Sequence, residues 1–284
     1  MSPTDLVRID PCWAHLPLKT LTLPPATTTN ALFIGSARFI VVDPGAHAES
    51  EQQRLAEAVD RRLAAGDRLE GVVLTHHHGD HVAGLGALVH HVGGAVTVMA
   101  HAKTLEQVPL PSPAQVTVLS DGQRLRLGAL ELEVLWTPGH ASGHVALWDA
   151  SSGIVAAGDM VASEGTIVVA LPDGDMGQYM ASLARLQALP GLKSMVPAHG
   201  GPIEEPVALL KQYIGHRLMR ESRVLNALTE ESQSVMALLP EVYPEVDPAL
   251  YPLAQYSLIA HLSKLEEEGR ALRHGDDAWA RPHA

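Results

Sequence analysis

A histidine-rich segment at the end of a strand-like run constrains this chain more than any other feature. Residues 72–75 are apolar or β-branched and predict a buried strand, and apolar side chains at helical spacing follow the segment. His76, His78, Asp80 and His81 lie between the two. Extended residues two positions apart point the same way, so the first two histidines can hold one ion together. Imidazole nitrogen and carboxylate oxygen are ligands of zinc and similar divalent ions, so the segment predicts a metal site.

Three further candidate ligands follow strand-like runs later in the chain. They are His140, Asp159 and His199. A carboxylate has two oxygens, so Asp159 can bridge two ions, and the full set favours a metal site over a solvated histidine-rich loop. The remaining histidines lack ligand spacing. His77 alternates away from its neighbours. His144 could be a further ligand, but it lies on the next strand and is interpreted as a residue behind the site or in the core.

The order and strand-end placement of these ligands resemble the metallo-β-lactamase superfamily of binuclear hydrolases. The resemblance covers about residues 25 to 205 and implies an α+β fold, a four-layer αββα sandwich around two divalent ions. The family carries an acidic residue behind its metals, which implies that Asp43 holds a ligand histidine. The implied ligands are His76, His78 and His140 for the first ion, Asp80, His81 and His199 for the second, and Asp159 as the bridge between them.

Length and composition predict two domains. Residues 1–205 form the catalytic domain, which begins with two strands in residues 27–43 and a helix over residues 48–65. Residues 206–284 form a small helical, winged-helix-like domain that ends in a hairpin over residues 270–280. Its first helix carries an apolar stripe made of Val207, Leu210, Ile214, Leu218, Leu225 and Leu228.

The C-terminal domain is a poor candidate for binding nucleic acid. From residue 206 it has eight Lys or Arg against eleven Asp or Glu. The run that contains Tyr213, His216, Arg217 and Arg220 resembles one branch of the superfamily, which includes mitochondrial β-lactamase-like endoribonucleases and bacterial hydrolases. That resemblance implies that the domain covers the active site. A cationic helix face and the loop over residues 160–178 are then expected to select the substrate.

The ligand set predicts a hydrolase in which a metal-bridging hydroxide, ionised near pH ~7, attacks a small-molecule ester, thioester or lactone. Asp80 orients this nucleophile and Asp159 bridges the ions. A single-strand endoribonuclease or phosphodiesterase is the alternative, although a net charge of −12 disfavours RNA. A mononuclear iron sulfur dioxygenase and a non-catalytic binding module are favoured less, because the second-ion ligands are all present.

Zinc is the metal that these ligands favour, with manganese and iron as alternatives. The sequence shows no secretory signal and no apolar run long enough to span a membrane. Cys12 is the only cysteine, so the chain forms no intrachain disulfide. These features predict a cytoplasmic enzyme with a small-molecule substrate, and they indicate no oligomeric state.

Overall fold

The computed structural model describes residues 6–94, 96–112, 114–163 and 165–283, which form two compact units. The first unit comprises the residues up to Thr137 together with 143–166 and 189–206, and the second comprises 138–142, 167–188 and the residues from Val207. The domain boundary after residue 205 stays a prediction. Residues 1–5 of the expected catalytic domain and Glu164 of the expected substrate loop lie outside the described residues.

Two mixed sheets form the body of the first unit. The strands of the larger sheet run in sequence order across it: β1 Val7–Asp10, β2 Trp13–Lys19, β3 Thr28–Ile34, β4 Arg38–Val42, β5 Arg68–Val73, β6 Thr97–His101 and β7 Gln115–Leu119. The strands of the smaller sheet are β8 Arg124–Leu127, β9 Leu130–Trp136, β10 Val145–Asp149, β11 Ile154–Gly158 and β12 Ser194–Pro197. Their spatial order is β12-β11-β10-β9-β8, with β11 and β12 parallel.

The helices of the first unit cover one face of the larger sheet. They are α1 Glu49–Ala64, α2 Gly79–Val82, α3 Leu85–His91 and α4 Ala102–Leu105. On β4, Phe39 and Val41 pack with the helices, whereas Ile40 and Val42 pack with the smaller sheet. Each such side chain contributes about 1.5–3 kcal/mol by leaving water. This alternation along one strand stacks helices, sheet and sheet in layers, and the α+β fold class is confirmed.

The structure confirms the first predicted elements and corrects the helix after the metal strand. Two strands and α1 lie where they were expected. The apolar side chains at helical spacing after the segment do not lie on one helix, because α2 ends at Val82 and α3 begins at Leu85. Gly84 lies in the gap, where an added Cβ would stand 2.5 Å from the carbonyl oxygen of Pro44. The turn therefore depends on a close backbone approach that hydrophobic spacing does not report.

The sequence interpretation placed no strand before residue 27, yet β1 and β2 lie there. Pro17 is inside β2 and opposite Asn30 of β3. Proline is disfavoured within strands because it has no N–H for the ladder. The strand forms because Leu16 and Leu18 are fully buried in the helix-side core. Tertiary burial outweighs local propensity here.

The second unit contains helices and a small three-stranded sheet. Its elements are α5 Met176–Gln187, α6 Pro206–Ala227 (from Val207 onward), β13 Gln233–Ser234, α7 Val235–Val242, a 3₁₀ turn Pro248–Leu250, α8 Tyr251–Glu267, β14 Leu272–His274 and β15 Ala278–Ala280. The sheet order is β13-β15-β14. Trp279 is buried in a core with α7 and α8. Helices followed by this hairpin confirm the winged-helix-like expectation.

The expected apolar stripe of α6 is partly wrong. Leu210 and Leu228 are buried, but Val207 and Leu218 are 46% and 52% exposed. The buried face of the helix is rotated toward Val224 and also contains charged side chains. Those charges are tolerated because each is held by hydrogen bonds or ion pairs within the unit, as described below.

None of the helices in the described parts of the chain combines the length and the apolar character that a membrane span requires.

The packing between the two sheets yields a stability prediction. Leu147 of β10 is 0% exposed in that core, whereas Leu21 is 80% exposed. Leu147→Ala is expected to lower the free energy of unfolding by about 2–5 kcal/mol, because it leaves a cavity that the sheets cannot close. Leu21→Ala is the matched control, with an expected change within about 0.5 kcal/mol. Urea unfolding of the metal-depleted protein measures both, and equal midpoints would contradict this core.

Candidate metal centre

Six of the seven predicted ligands lie in the first unit, each just beyond the end of a strand. His76 and His78 follow β5, and Asp80 and His81 lie in α2. Asp159 and His199 follow β11 and β12. Since β11 and β12 are parallel neighbours, their ends meet at one edge of the sheet, as the sequence implied. The ligand atoms of His76, His81 and Asp159 lie within 4.8 Å of one another, as do those of Asp80, His81 and His199.

Four of these side chains have the spacing of ligands around one ion. Oδ1 of Asp159 is 3.5 Å from Nε2 of His81 and 3.4 Å from Nε2 of His199. Oδ2 of Asp80 is 3.8 Å and 3.5 Å from the same two nitrogens. Two atoms bound to one tetrahedral ion at about 2.1 Å are about 3.4 Å apart. The four groups therefore fit a divalent ion.

His81 has the chemical environment of a metal ligand. Its Nδ1–H donates to Oδ2 of Asp43 at 2.8 Å, so Nε2 is the nitrogen that faces Asp80 and Asp159. Nε2 is buried and has no hydrogen-bond partner in the described parts of the chain. Burial alone would lower the pKa of His81, but the carboxylates of Asp159, Asp43 and Asp80 outweigh it and hold the pKa well above its usual value. The site attracts positive charge, which a divalent cation supplies.

Asp43 fixes His81 from behind, and the expectation for this residue is confirmed. Its Oδ1 accepts from the backbone N–H of Thr75 at 2.7 Å, and its Oδ2 accepts from Oγ1 of Thr75 at 2.6 Å. The backbone of Asp43 is in the left-handed region with φ of 53°. A non-glycine residue rarely adopts this conformation unless its surroundings impose it. The hydrogen bonds from Thr75 and His81 supply that constraint.

His199 is oriented by residues from the distant strand β3. Its Nδ1–H donates to the carbonyl of Thr28 at 2.9 Å, which leaves Nε2 toward the two carboxylates. The side-chain amide of Asn30 donates to the carbonyls of Pro197 and Gly200 at 3.0 and 2.8 Å and so holds the turn. Asn30 was missed in the sequence. An asparagine in a strand carries no sign of a partner 167 residues away.

His76 and His78 form the pair that the alternation of an extended chain predicted. Nε2 of His76 lies 3.0 Å from Nδ1 of His78, close to the separation of two ligands on one ion. Nδ1 of His76 is 3.0 Å from Oγ1 of Thr75. Thr75 therefore contacts both Asp43 and a ligand histidine, although its sequence position marked it only as the last residue of the strand run.

The two remaining histidines of interest have defined hydrogen-bond partners. His140 lies in the second unit, where its Nδ1–H donates to the carbonyl of Val168 at 2.7 Å, so its Nε2 carries the lone pair. His144 is fully buried in the first unit. Its Nε2 accepts from the backbone N–H of Asp159 at 3.1 Å. The interpretation of His144 as a residue behind the site agrees with this bond.

The predicted substrate residues on α6 divide into two pairs. Tyr213 is half-buried and His216 is exposed, and a substrate role for them stays a prediction. Arg217 and Arg220 are only 5% and 3% exposed. Arg217 donates to the carbonyl of Ile167, and Arg220 donates to the carbonyl of Val242 and pairs with Glu245. The expected exposed cationic face is therefore wrong at both arginines, because both side chains are buried and form hydrogen bonds within the unit. A substrate role for them stays a prediction.

Comparison with protein-family models gives two matches. The model of the metallo-beta-lactamase superfamily matches residues 24–199. The model of the beta-lactamase associated winged helix domain matches residues 234–279, which include α7, α8 and all of the hairpin except Ala280.

Three curated relatives are named for their family or their reaction. The Beta-lactamase-like protein 2 homolog of Drosophila melanogaster is 31% identical over 85% of this chain and 83% of its own length. The Hydroxyacylglutathione hydrolase of Aeromonas hydrophila is 38% identical over 56% of each chain. The Atrochrysone carboxyl ACP thioesterase of Aspergillus chevalieri is 31% identical over 72% of this chain and 62% of its own length.

Solved structures show the same fold. A beta-lactamase domain protein from Burkholderia ambifaria has a TM-score of 0.83 and 22% identity, over 99% of this chain and 94% of its own. A structure solved in a di-iron-bound form has a TM-score of 0.53 and 28% identity, over 67% of this chain and 96% of its own. Since the family model spans more than half of the sequence, this protein belongs to the metallo-beta-lactamase superfamily of hydrolases.

Proposed function

We propose that this protein is a binuclear metal-dependent hydrolase that cleaves a small-molecule ester, thioester or lactone. One observation carries the proposal: ligand atoms of Asp80, His81, Asp159 and His199 converge at separations of 3.4–3.8 Å. Nε2 of His81 is buried among them without a hydrogen-bond partner in the described part of the chain. A buried imidazole nitrogen that faces two carboxylates is stabilised by positive charge at that point, which either a proton on the ring or a divalent cation between the groups can supply.

The ligands divide between two ions in this proposal. The first ion would be held by His76, His78 and His140, and the second by Asp80, His81 and His199. Asp159 would contribute its carboxylate to both. The 3.0 Å separation within the His76–His78 pair supports the first set, as does the Nδ1–H tautomer that Val168 imposes on His140. The second set is supported by the 3.4–3.8 Å separations between the carboxylate oxygens of Asp80 and Asp159 and Nε2 of His81 and His199.

The residues around the ions position the reactants. When bound, two divalent ions supply a water nucleophile that ionises near neutral pH and stabilise the oxygen that develops negative charge. Asp80 would accept a hydrogen bond from this water and so orient it toward the carbonyl carbon. Asp43 holds His81 in place, and the carbonyl of Thr28 holds His199. His144 holds the backbone of Asp159. No serine or cysteine nucleophile is needed.

Zinc is the metal we favour, because the site combines several imidazole nitrogens with two carboxylates. Manganese and iron are the alternatives. Iron is supported by the similarity of the fold to a structure solved in a di-iron-bound form. A mononuclear iron dioxygenase is a weaker candidate, since Asp80, His81 and His199 supply a complete second set.

A thioester is the substrate class that the relatives favour within this group. One is named a thioesterase and another a hydroxyacylglutathione hydrolase. Single-strand RNA is the competing substrate. The net charge of −12 opposes a polyanion. Three arginines on α6 would support RNA binding, and two of them, Arg217 and Arg220, are buried, whereas Arg223 is partly exposed.

The ligand assignment predicts how metal content changes. Asp80→Ala and His81→Ala are each expected to lower bound metal from about two equivalents to about one and nearly abolish turnover, because the second ion loses a ligand and its Lewis-acid contribution. His90→Ala, at an exposed histidine outside the site, is the matched control. Elemental analysis of the purified variants measures the stoichiometry. Full activity with one ion per chain would point to a mononuclear mechanism.

The Asp43–His81 hydrogen bond predicts a metal-affinity effect from a residue that is not a ligand. Asp43→Asn is expected to weaken metal binding by about 10–100-fold, because the amide no longer fixes the orientation and basicity of the imidazole. Asp60→Asn is the matched control, since Asp60 forms an exposed contact with His91 at 2.9 Å. Chelator competition measures both affinities. Equal affinities for the two variants would mean that Asp43 does not orient the ligand.

Salt dependence separates the two substrate classes. The metal-loaded protein is tested between 50 and 200 mM salt with matched substrates: an ester, a thioester, a lactone, a phosphodiester and a single-strand RNA. RNA binding through six to ten phosphate contacts would fall by about 10³–10⁵ over this range, because counterions are released. We expect thioester cleavage with a shallow dependence on salt. Cleavage of RNA with a steep dependence on salt would overturn this proposal and support the endoribonuclease alternative.

A further inference from the structure

We propose that Arg217 is a positioning residue for the metal ligand His140, and that it acts through the backbone of Ile167 and Val168. This inference rests on the proposed function, in which His140 binds the first ion. All four residues lie in the second unit, so the contacts that carry the inference are within one compact body. Arg217 was expected from the sequence to bind substrate, and the structure gives it a different set of partners.

Two consecutive carbonyls link the arginine to the histidine. The carbonyl of Ile167 accepts from Nη2 of Arg217, and the carbonyl of Val168 accepts from Nδ1–H of His140 at 2.7 Å. The second bond sets both the tautomer of the imidazole and the direction in which Nε2 points. Because the two carbonyls belong to adjacent peptide units, a shift of Ile167 also moves the acceptor that holds His140.

The segment that carries His140 is held on several sides by the same unit. The carbonyl of Pro138 accepts from Oγ of Ser182 at 2.7 Å, and the carbonyl of Gly139 accepts from the backbone N–H of Asp175 at 2.8 Å. Gly139 has φ of 134°, and an added Cβ would lie 2.2 Å from the backbone of Tyr179. These contacts fix the backbone of the segment, and the Val168 bond then fixes the ring.

Arg217 differs from its neighbours on α6 in what it contacts. Arg220 and Arg223 pair with Glu245 at 2.5 and 2.7 Å. Arg220 also donates to the carbonyl of Val242. Arg217 donates to the carbonyl of Ile167, which is next to the carbonyl that holds His140, and its guanidinium carbon lies 5.4 Å from the ring centroid of Tyr179. Burying a guanidinium has a desolvation cost that must be offset by its contacts. Here those contacts are with the backbone of Ile167 and with the helix against which Gly139 packs.

The test compares metal affinity among variants of the full chain. Metal-free protein is titrated with Co²⁺ in competition with a chelator, and the visible absorption of the bound ion resolves the binding steps. Arg217→Met removes the donor while filling the space with an apolar side chain of similar length. We expect it to weaken one binding step by about 10-fold or more, the scale of effect seen for groups that orient metal ligands. The other step is expected to stay within about twofold of the wild type.

Reference variants make the result specific. His140→Ala is expected to weaken the same step more strongly, and Arg217→Lys to recover part of the affinity because it restores an N–H donor. Arg223→Met is the matched control on the same helix and is expected to bind as the wild type does. Circular dichroism confirms the fold of each variant. If Arg217→Met does not fold, Arg217→Gln, which keeps only a shorter donor, takes its place with the same expectation.

The outcomes separate this inference from the proposed function. Should His140→Ala leave both steps unchanged, the ligand assignment fails and the inference fails with it. Should His140→Ala weaken one step while Arg217→Met and Arg223→Met behave alike, the assignment stands and the role of Arg217 is overturned. Loss of affinity in both steps together would also overturn it, because it would indicate general destabilisation. Selective loss at the His140 step with recovery by lysine supports it.

Discussion

The hydrogen bonds of one buried carboxylate hold the candidate metal centre of the first unit together. Asp43 accepts from the backbone and side chain of Thr75 and from the imidazole of His81. These bonds join the end of β4, the end of β5 and the start of α2 at a single point. Asp43 adopts a left-handed backbone conformation there, and the bonds compensate for its strain. Without this arrangement the three carboxylates near His81 would repel one another with nothing to direct the imidazole between them.

In the second unit, a buried charged side chain holds backbone groups in position. Arg217 lies on the buried face of α6 and donates to a carbonyl in the segment that orients His140. A buried guanidinium contributes little net stability compared with an apolar residue of similar size. The N–H donors of its planar guanidinium point in fixed directions, however, and can hold backbone groups at defined positions. This explains why a helix whose spacing suggested a plain apolar stripe instead buries arginines and a glutamate.

The candidate metal ligands and the residues expected to select the substrate lie on different kinds of element. The candidate ligands of the first unit lie at strand ends or shortly after them, where the sheets fix their positions. Tyr213 and His216 are at least partly accessible on α6, and the described residues between Met160 and Met176 lie outside strands and helices. Loops and helix surfaces can change without disturbing the sheets, so they are where substrate preference is expected to vary among relatives.

The sequence by itself determined the chemistry of the site. His76, His78, Asp80 and His81 are close together because a strand turns into a helix over a few residues, and local spacing reports that directly. The strand-end positions of Asp159 and His199 followed from the same kind of argument. The fold class and the hairpin of the C-terminal region were also accessible, since hydrophobic periodicity records which face of an element is buried.

Only the tertiary structure decided which groups orient the ligands and which charges are buried. Asn30 holds the turn of His199 from a strand far away in sequence, and Val168 sets the tautomer of His140. Hydrophobic periodicity likewise does not report the break between α2 and α3 at Gly84 or the burial of Arg217. The reason is that periodicity describes one element at a time. Hydrogen-bond partners and close backbone approaches depend on how separate elements pack against each other.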